Sequence, residues 1–414
     1  MADSEIVSSL EKFRQRFYID DPELVYLDGN SLGRLPIATI QTMRDVIENQ
    51  WGAGLIRSWN EHWLSMVTRI RKKLACLLGA DVDEVLIADS TSINLFKLTL
   101  ACLDAQIEHG ELLTDQANFP SDLYILQGLC DRFSTRVTLR EVSNDDIDFE
   151  DSESRLLDNL THRTKLVVLS HVHYQSGYAY AMDRINQAAE RVGAQVIWDV
   201  SHSIGAMPID VRESRCGLMV GCCYKYLNGG PGAPAFLFVK RELQERLKNP
   251  IQGWFGAANP FDFSGRYHAS GGIEKFAVGT PNILSLAAIE PGIDLTLEAG
   301  IHRIRERSLA LTTRFIKQVD EFSRDWEVRI GTPRDPVQRG SHVSLVHPNA
   351  WQITQALIQH WKVIPDFRSP NIIRFGVTPL YTTEGEIDKA SAALKAILLQ
   401  KSYLDFSPVT RGVT

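Results

Sequence analysis

The chain has 414 residues, enough for two domains or for one large domain with a smaller satellite. Hydrophobic residues make up 44% and charged residues 23%, the balance of an ordinary soluble globular protein, and the net charge of -7 leaves no basic footprint for nucleic acid. No apolar run nears the roughly 18 residues that span a bilayer, and the acidic start Met-Ala-Asp-Ser-Glu-Ile-Val is no secretory signal.

In chain order, short β-rich runs alternate with helical patterns. The runs are Glu84 to Ala88, Glu111 to Thr114, Lys165 to Ser170, Gln195 to Asp199, Leu218 to Gly221 and Ala235 to Val239. Helical stretches include Ile93 to Leu103, Asp122 to Leu129 and Arg184 to Arg191. This rhythm predicts an α/β domain with a mainly parallel sheet flanked by helices. Ligands of such sheets bind where strands end and helices begin. After about residue 290 the pattern changes. An amphipathic stretch, Ser285 to Val319, precedes a strand from Ser341 to Val346, a helix near Trp351 to Trp361 and the run Ile372 to Val377. Thr383 and Glu386 form a capping box for a last helix. The expected division is an N-terminal segment, residues 1–40, packing on a small α+β domain, residues 291–414, with a large domain, residues 41–290, between them.

Chemistry concentrates at the predicted strand ends. Lys225 sits in Cys-Cys-Tyr-Lys-Tyr-Leu-Asn-Gly-Gly-Pro-Gly, between two buried-strand patterns, and Asp199 closes another strand. A strand-end acid and a lysine in the loop after a second strand suit pyridoxal phosphate (PLP): the amine binds its aldehyde and the acid keeps its ring nitrogen protonated. Ser90, Thr91 and Ser92 open a helix, either as an anion cup or as plain caps. Phe119 could stack on a ring and Asp122 could reinforce Asp199; the alternative is a turn with Asp122 as a cap. His202, three residues after Asp199, suits a partner for that carboxylate or for a phosphate. Arg374, in an apolar strand, needs an anion: a substrate carboxylate, or an acid of the chain. His171 and His173 lack the further ligands a metal requires, so no metal is expected. The six cysteines show no Cys-x-x-Cys spacing and read as reduced thiols in the cytoplasm.

Together these residues resemble kynureninase, in the fold-type I group of PLP enzymes and its class V aminotransferase branch. The resemblance runs from Tyr26-Leu-Asp-Gly-Asn-Ser-Leu-Gly33 through Gly54 to Asn60, Ser92 to Phe96, Asn118 to Asp122, Tyr224 to Gly232, Gly253 to Gly256 and Gly279-Thr280, ending at Arg374 to Thr383. It implies a homodimeric hydrolase that cleaves the Cβ–Cγ bond of L-kynurenine to anthranilate and L-alanine, in tryptophan degradation or NAD biosynthesis. Residue by residue, it makes Lys225 the cofactor-binding lysine and Tyr224 a proton donor and acceptor. Ser90, Thr91, Tyr224, Trp254 and Thr280 surround the phosphate, the last two from a partner subunit. Phe119, in the turn with Pro120, Ser121 and Asp122, stacks on the ring; Asp199 holds its nitrogen; Ser170 and His202 complete the pocket. Arg374 takes the amino-acid carboxylate, with Trp59, Asn30 and Ser31 near the substrate. Ser121 and His173 vary from the family pattern. Threonine at 280 favours the unhydroxylated substrate over 3-hydroxykynurenine. A cysteine desulfurase-like enzyme would share fold and lysine but carry a reactive loop cysteine. A non-catalytic PLP-binding descendant would be expected to have lost Lys225 or Arg374.

Overall fold

The computed structural model describes residues 10–106, 109–143, 149, 151–263 and 265–408, so the acidic N-terminal stretch lies outside the described residues. In chain order the strands are β1 (Val25–Tyr26), β2 (Val85–Ile87), β3 (Gly110–Asp115), β4 (Val137–Val142), β5 (Thr164–Ser170), β6 (Gln195–Asp199), β7 (Leu218–Gly221) and β8 (Phe236–Val239). They are followed by β9 (Arg329–Ile330), β10 (His342–Val346), β11 (Val363–Ile364), β12 (Asp366–Arg368) and β13 (Ile372–Gly376).

Seven strands form one sheet in the order β2-β8-β7-β6-β5-β3-β4. The run from β4 to β7 is parallel; β8 is antiparallel to both neighbours. Side chains of the central strands alternate strictly between two cores, as a period of two requires. Val167, Leu169, Val196, Trp198 and Met219 face one side, with the helices Leu64–Leu78, Met182–Val192 and Ile283–Ala299. Leu166, Val168, Ile197, Leu218 and Val220 face the other, with Thr91–Gln106 and Pro120–Arg132. Burial on both faces explains why these strands read as continuous apolar runs.

The C-terminal part carries an antiparallel sheet, β12-β13-β10-β9, covered by the helices Ile301–Asp320, Ala350–Trp361 and Glu384–Gln400. The stretch expected as one amphipathic unit from Ser285 to Val319 is two helices, Ile283–Ala299 and Ile301–Asp320, separated at Gly300 with φ of 82°. The N-terminal segment joins this part: β1 pairs in parallel with β11, and Leu10, Phe13 and Phe17 pack on Leu295, Ile304, Leu380 and Tyr381. Asp28 then bridges to Gly376, so the segment crosses the end of β13 before reaching the Lys225 loop. At Gly33 the backbone N–H donates to the Tyr224 carbonyl at 2.9 Å, and a Cβ there would lie 2.3 Å from the Lys225 carbonyl oxygen. Only glycine permits that approach.

Candidate active site

The carboxyl ends of β5, β6 and β7 and the helix starts at Thr91 and Pro120 meet around one cavity of about 140 Å³. A larger surface groove, about 890 Å³, opens at the opposite end, beside Gln195 and Gly217 where β6 and β7 begin. The small cavity holds the chemistry. Lys225 lies in the β7–β8 loop with Nζ 2.9 Å from His202 Nε2 and 5.9 Å from the centres of the Phe119 and Tyr224 rings. Burial pushes the Lys225 amine below its usual range. Burial, and then the nearby Lys225 charge, push His202 well down. A neutral imidazole accepting from the amine at Nε2 satisfies both tendencies.

Register brings Ser170 and Asp199 side by side on β5 and β6. Asp199 Oδ1 accepts from the Ser201 N–H at 2.8 Å and from its hydroxyl at 2.6 Å. The Asp122 carboxyl also bonds Asp199. Burial raises both acids, Asp122 the further because the Asp199 charge adds to it; the Ser201 bonds favour ionised Asp199. A proton between the pair is therefore favoured on Asp122 over Asp199. Ser170 donates to Asn118 Oδ1 at 2.6 Å, which also accepts from the Phe119 N–H at 2.8 Å. Phe119 caps the Pro120–Arg132 helix and stands edge-on to Tyr174 at 5.3 Å.

Ser90 and Thr91 line the same cavity at the start of the Thr91–Gln106 helix, after Asp89 in a left-handed turn with φ of 53°. Ser121 reaches across to Ser92 at 2.8 Å between hydroxyls. Burial raises the Tyr224 phenol. His171 and His173 face different partners: His171 packs on Trp198, while His173 Nε2 lies 3.2 Å from Asp115. Among the described residues no cluster of His, Cys, Asp or Glu has the makings of a metal site.

Arg374 is fully buried, and the partner it needs is in the chain. Asp366 accepts from its Nε at 2.7 Å, Ser31 Oγ lies 3.1 Å from Nη2, and the Tyr174 carbonyl accepts from Nη1 at 2.5 Å. Asn30 is buried against Gly376, and its amide has no hydrogen-bond partner among the described residues. Three expected residues stand apart from the Lys225 cavity within one chain. Trp59 packs on Trp63 at 5.2 Å and on Phe255 at 6.3 Å. Trp254 packs on Phe255 at 4.5 Å. Thr280 lines a second cavity, about 270 Å³, on the far side of Pro234 and Asp89.

The profile of the kynureninase C-terminal domain matches residues 304–394. A kynureninase of Pseudomonas fluorescens is 42% identical over 400 residues, covering 95% of this chain and 94% of its own. The chain belongs to the kynureninase family. A second member, from Burkholderia mallei strain SAVP1, is 40% identical over 380 residues, covering 91% and 89% of the two chains. Among solved structures, an apo cysteine desulfurase from Thermococcus onnurineus NA1 superposes with a TM-score of 0.80 at 21% identity, over 94% of this chain and 98% of its own. The Escherichia coli cysteine desulfurase gives 0.77 at 17%, over 94% and 98%. These likenesses establish the expected fold-type I architecture.

The desulfurase alternative is not favoured for this kynureninase family member. Its six cysteines are free, and the exposed one, Cys76, lies on the helix Leu64–Leu78 rather than on a loop. Tyr174, Ser201 and Cys222 fall in strand-end clusters of the sequence but were given no role of their own there, and Asp366 and Arg368 beside Arg374 were missed. Asp366 and Arg368 carried a signal, an acid and a base alternating in a short extended run, but only the β12–β13 register sets Asp366 opposite Arg374.

Proposed function

We propose that this chain is a PLP-dependent hydrolase that splits the Cβ–Cγ bond of L-kynurenine into anthranilate and L-alanine. The observation that carries the reading is the Lys225 amine in a cavity lined also by Asp122, Asp199, Phe119, Ser90 and Thr91, in a chain 42% identical to a kynureninase along 95% of its length. The donor set suits the cofactor. An acid with one shared proton would meet the ring nitrogen at Asp199, Phe119 would stack on the ring, and the Ser90 and Thr91 hydroxyls at a helix start would take the phosphate. The cofactor would supply an electron sink conjugated to the substrate amine.

The chain's own residues do the rest. Lys225 Nζ, oriented by His202 and pushed toward the neutral amine by burial, would take the substrate's Cα proton and hold it for return. Asp199 stays the more acidic carboxylate because Ser201 and Asp122 both donate to it. The Tyr224 phenol, raised by burial, keeps its proton at neutral pH and serves as donor late in the cycle. Arg374 receives the amino-acid carboxylate, with Ser31 beside it. Asn30 supports that corner by packing on Gly376.

The working form is a homodimer. Trp254 and Thr280 are read as phosphate contacts yet lie away from the Lys225 cavity of their own chain, and Trp59, joined to them through Phe255, goes with them. The separate cores and the packing of Leu10, Phe13 and Phe17 favour the 1–40, 41–290 and 291–414 division in outline, but the helix Ile283–Ala299 runs through the 290/291 boundary and its Ile293 packs in the large-domain core. Six free cysteines favour a reducing cytoplasm. Among the described residues no helix is long and apolar enough to cross a membrane. The test is incubation of the PLP-loaded protein with L-kynurenine. Anthranilate fluorescence should grow with equimolar L-alanine and vanish in Lys225→Ala; absence of both products from the wild type overturns the reading.

A further inference from the structure

The Arg374 corner has more donors than one guanidinium supplies. An arginine offers five N–H groups. In Arg374 the Nε–H and one Nη2–H go to Asp366, the other Nη2–H faces Ser31, and one Nη1–H goes to the Tyr174 carbonyl. A single Nη1–H is left. Two parallel N–H groups are needed for the forked grip by which arginine recognises a carboxylate. Arg374 cannot provide them while it keeps these bonds.

A second guanidinium stands at the same place. Arg368 sits one strand over on β12, with Nη2 3.0 Å from Asp366 Oδ2 and 3.3 Å from Ser31 Oγ. Both arginines thus converge on one carboxylate oxygen and one hydroxyl. Their surroundings differ: the Arg374 side chain is 1% exposed and that of Arg368 is 32% exposed. Arg368 Nε is nevertheless buried and has no hydrogen-bond partner among the described residues. An unpaired buried N–H beside a half-open side chain is an unfilled contact, as is the Asn30 amide in the same corner.

We propose that Arg368 is the second guanidinium of the substrate's α-carboxylate subsite, and that Asp366 is the positioning residue that aims both arginines at it. The proposal rests on the reading that Arg374 takes that carboxylate. Arg374 gives its remaining Nη1–H and Arg368 its unpartnered Nε–H, so the two N–H groups that grip the carboxylate come from two side chains rather than from one fork. Asp366 offsets one of the two positive charges before substrate arrives, which limits the cost of holding two guanidiniums together in a partly dry site. Asp28 is the other acid at the corner, bridged to Gly376.

The test compares holoenzyme variants Arg368→Gln, Arg368→Lys and Arg374→Gln. Binding of L-alanine is read from the visible spectrum, and inhibition by the decarboxylated analogue of L-kynurenine is read from its competition. Arg368→Gln should raise the L-alanine Kd and the L-kynurenine KM by about tenfold, with kcat within about threefold. Arg368→Lys, which keeps the charge but not the Nε–H, should lose an intermediate amount. The decarboxylated analogue should inhibit wild type and Arg368→Gln equally. An L-alanine Kd unchanged in Arg368→Gln and Arg368→Lys, or an equal loss for the decarboxylated analogue, overturns the proposal. If Arg374→Gln weakens L-alanine binding while the Arg368 variants do not, Arg368 alone is refuted. If Arg374→Gln also leaves the Kd unchanged, the carboxylate reading of the whole corner falls with it.

Discussion

Asp122 and Asp199 meet the same cavity with unlike surroundings. Asp199 accepts two bonds from Ser201 and one from Asp122; Asp122 Oδ2 has no partner among the described residues. The pair can hold one negative charge cheaply and two only at great cost, so Asp122 acts as a neutral donor. Asparagine imitates a protonated acid but not a carboxylate. Asp122→Asn should therefore keep kcat within about tenfold of wild type, whereas Asp199→Asn should lower it by at least about 10²-fold, the scale of losing a strong electrostatic partner. Steady-state turnover of L-kynurenine by the two variants checks this, and equal losses would mean that both acids are ionised in the working enzyme. Lys225, Asp199 and His202 were legible in the sequence because each closes or follows an apolar run, a local signal. Asp366 was not, because its meeting with Arg374 depends on which residues β12 and β13 set opposite one another, a matter of register.

At the level of elements, the strands with burial on both faces were readable from their apolar runs; β4 was missed. Its residues Val137–Val142 are buried only at the two ends, and as the sheet's edge it carries Arg140 and Glu141 between them. The antiparallel sense of β8 was also hidden by the βαβ rhythm. No helix intervenes between Gly221 and Phe236, so the chain turns back without a crossover, and that reversal leaves Lys225 at the carboxyl end of β7. The last helix shows the opposite case, in which a four-residue motif suffices. Thr383 Oγ1 accepts from the Glu386 N–H at 3.2 Å, and Glu386 Oε2 accepts from the Thr383 N–H at 2.8 Å. Arg14 also pairs with Glu386, fastening the N-terminal segment to this helix start. Thr383→Ala should cost about 0.5–2 kcal/mol in urea unfolding, with KM for L-kynurenine unchanged, because the cap lies outside the cavity. A shift in KM without loss of stability would place this helix start in the substrate path instead.

The whole molecule leaves large apolar side chains in solvent around the expected partner contacts. Trp254 is 40% exposed, Trp51 55%, Ile56 76% and Phe263 78%, and the Trp59–Phe255 contact ties the segments that bear them. Exposed apolar surface of this kind is the mark of an interface. A two-fold dimer joins one patch to its own copy, so each site would draw on both chains. No periodicity in one sequence could reveal whether Trp254 and Thr280 serve a different copy from Lys225; the family pattern suggested it, and neither residue lines the Lys225 cavity of its own chain. Mixing two inactive variants separates the possibilities. In Lys225→Ala dimers both sites lack the lysine, and in Trp254→Ala dimers both lack the indole. A mixed dimer gathers both lesions in one site and leaves the other intact, provided the indole comes from the partner. Random reassortment makes half the dimers mixed, so about a quarter of wild-type activity should return on subunit exchange. If Trp254 instead serves its own chain, every site in the mixture carries one lesion and mixing restores nothing. Anthranilate fluorescence before and after exchange reads the difference, and sedimentation of the same samples verifies that the mixed species are dimers.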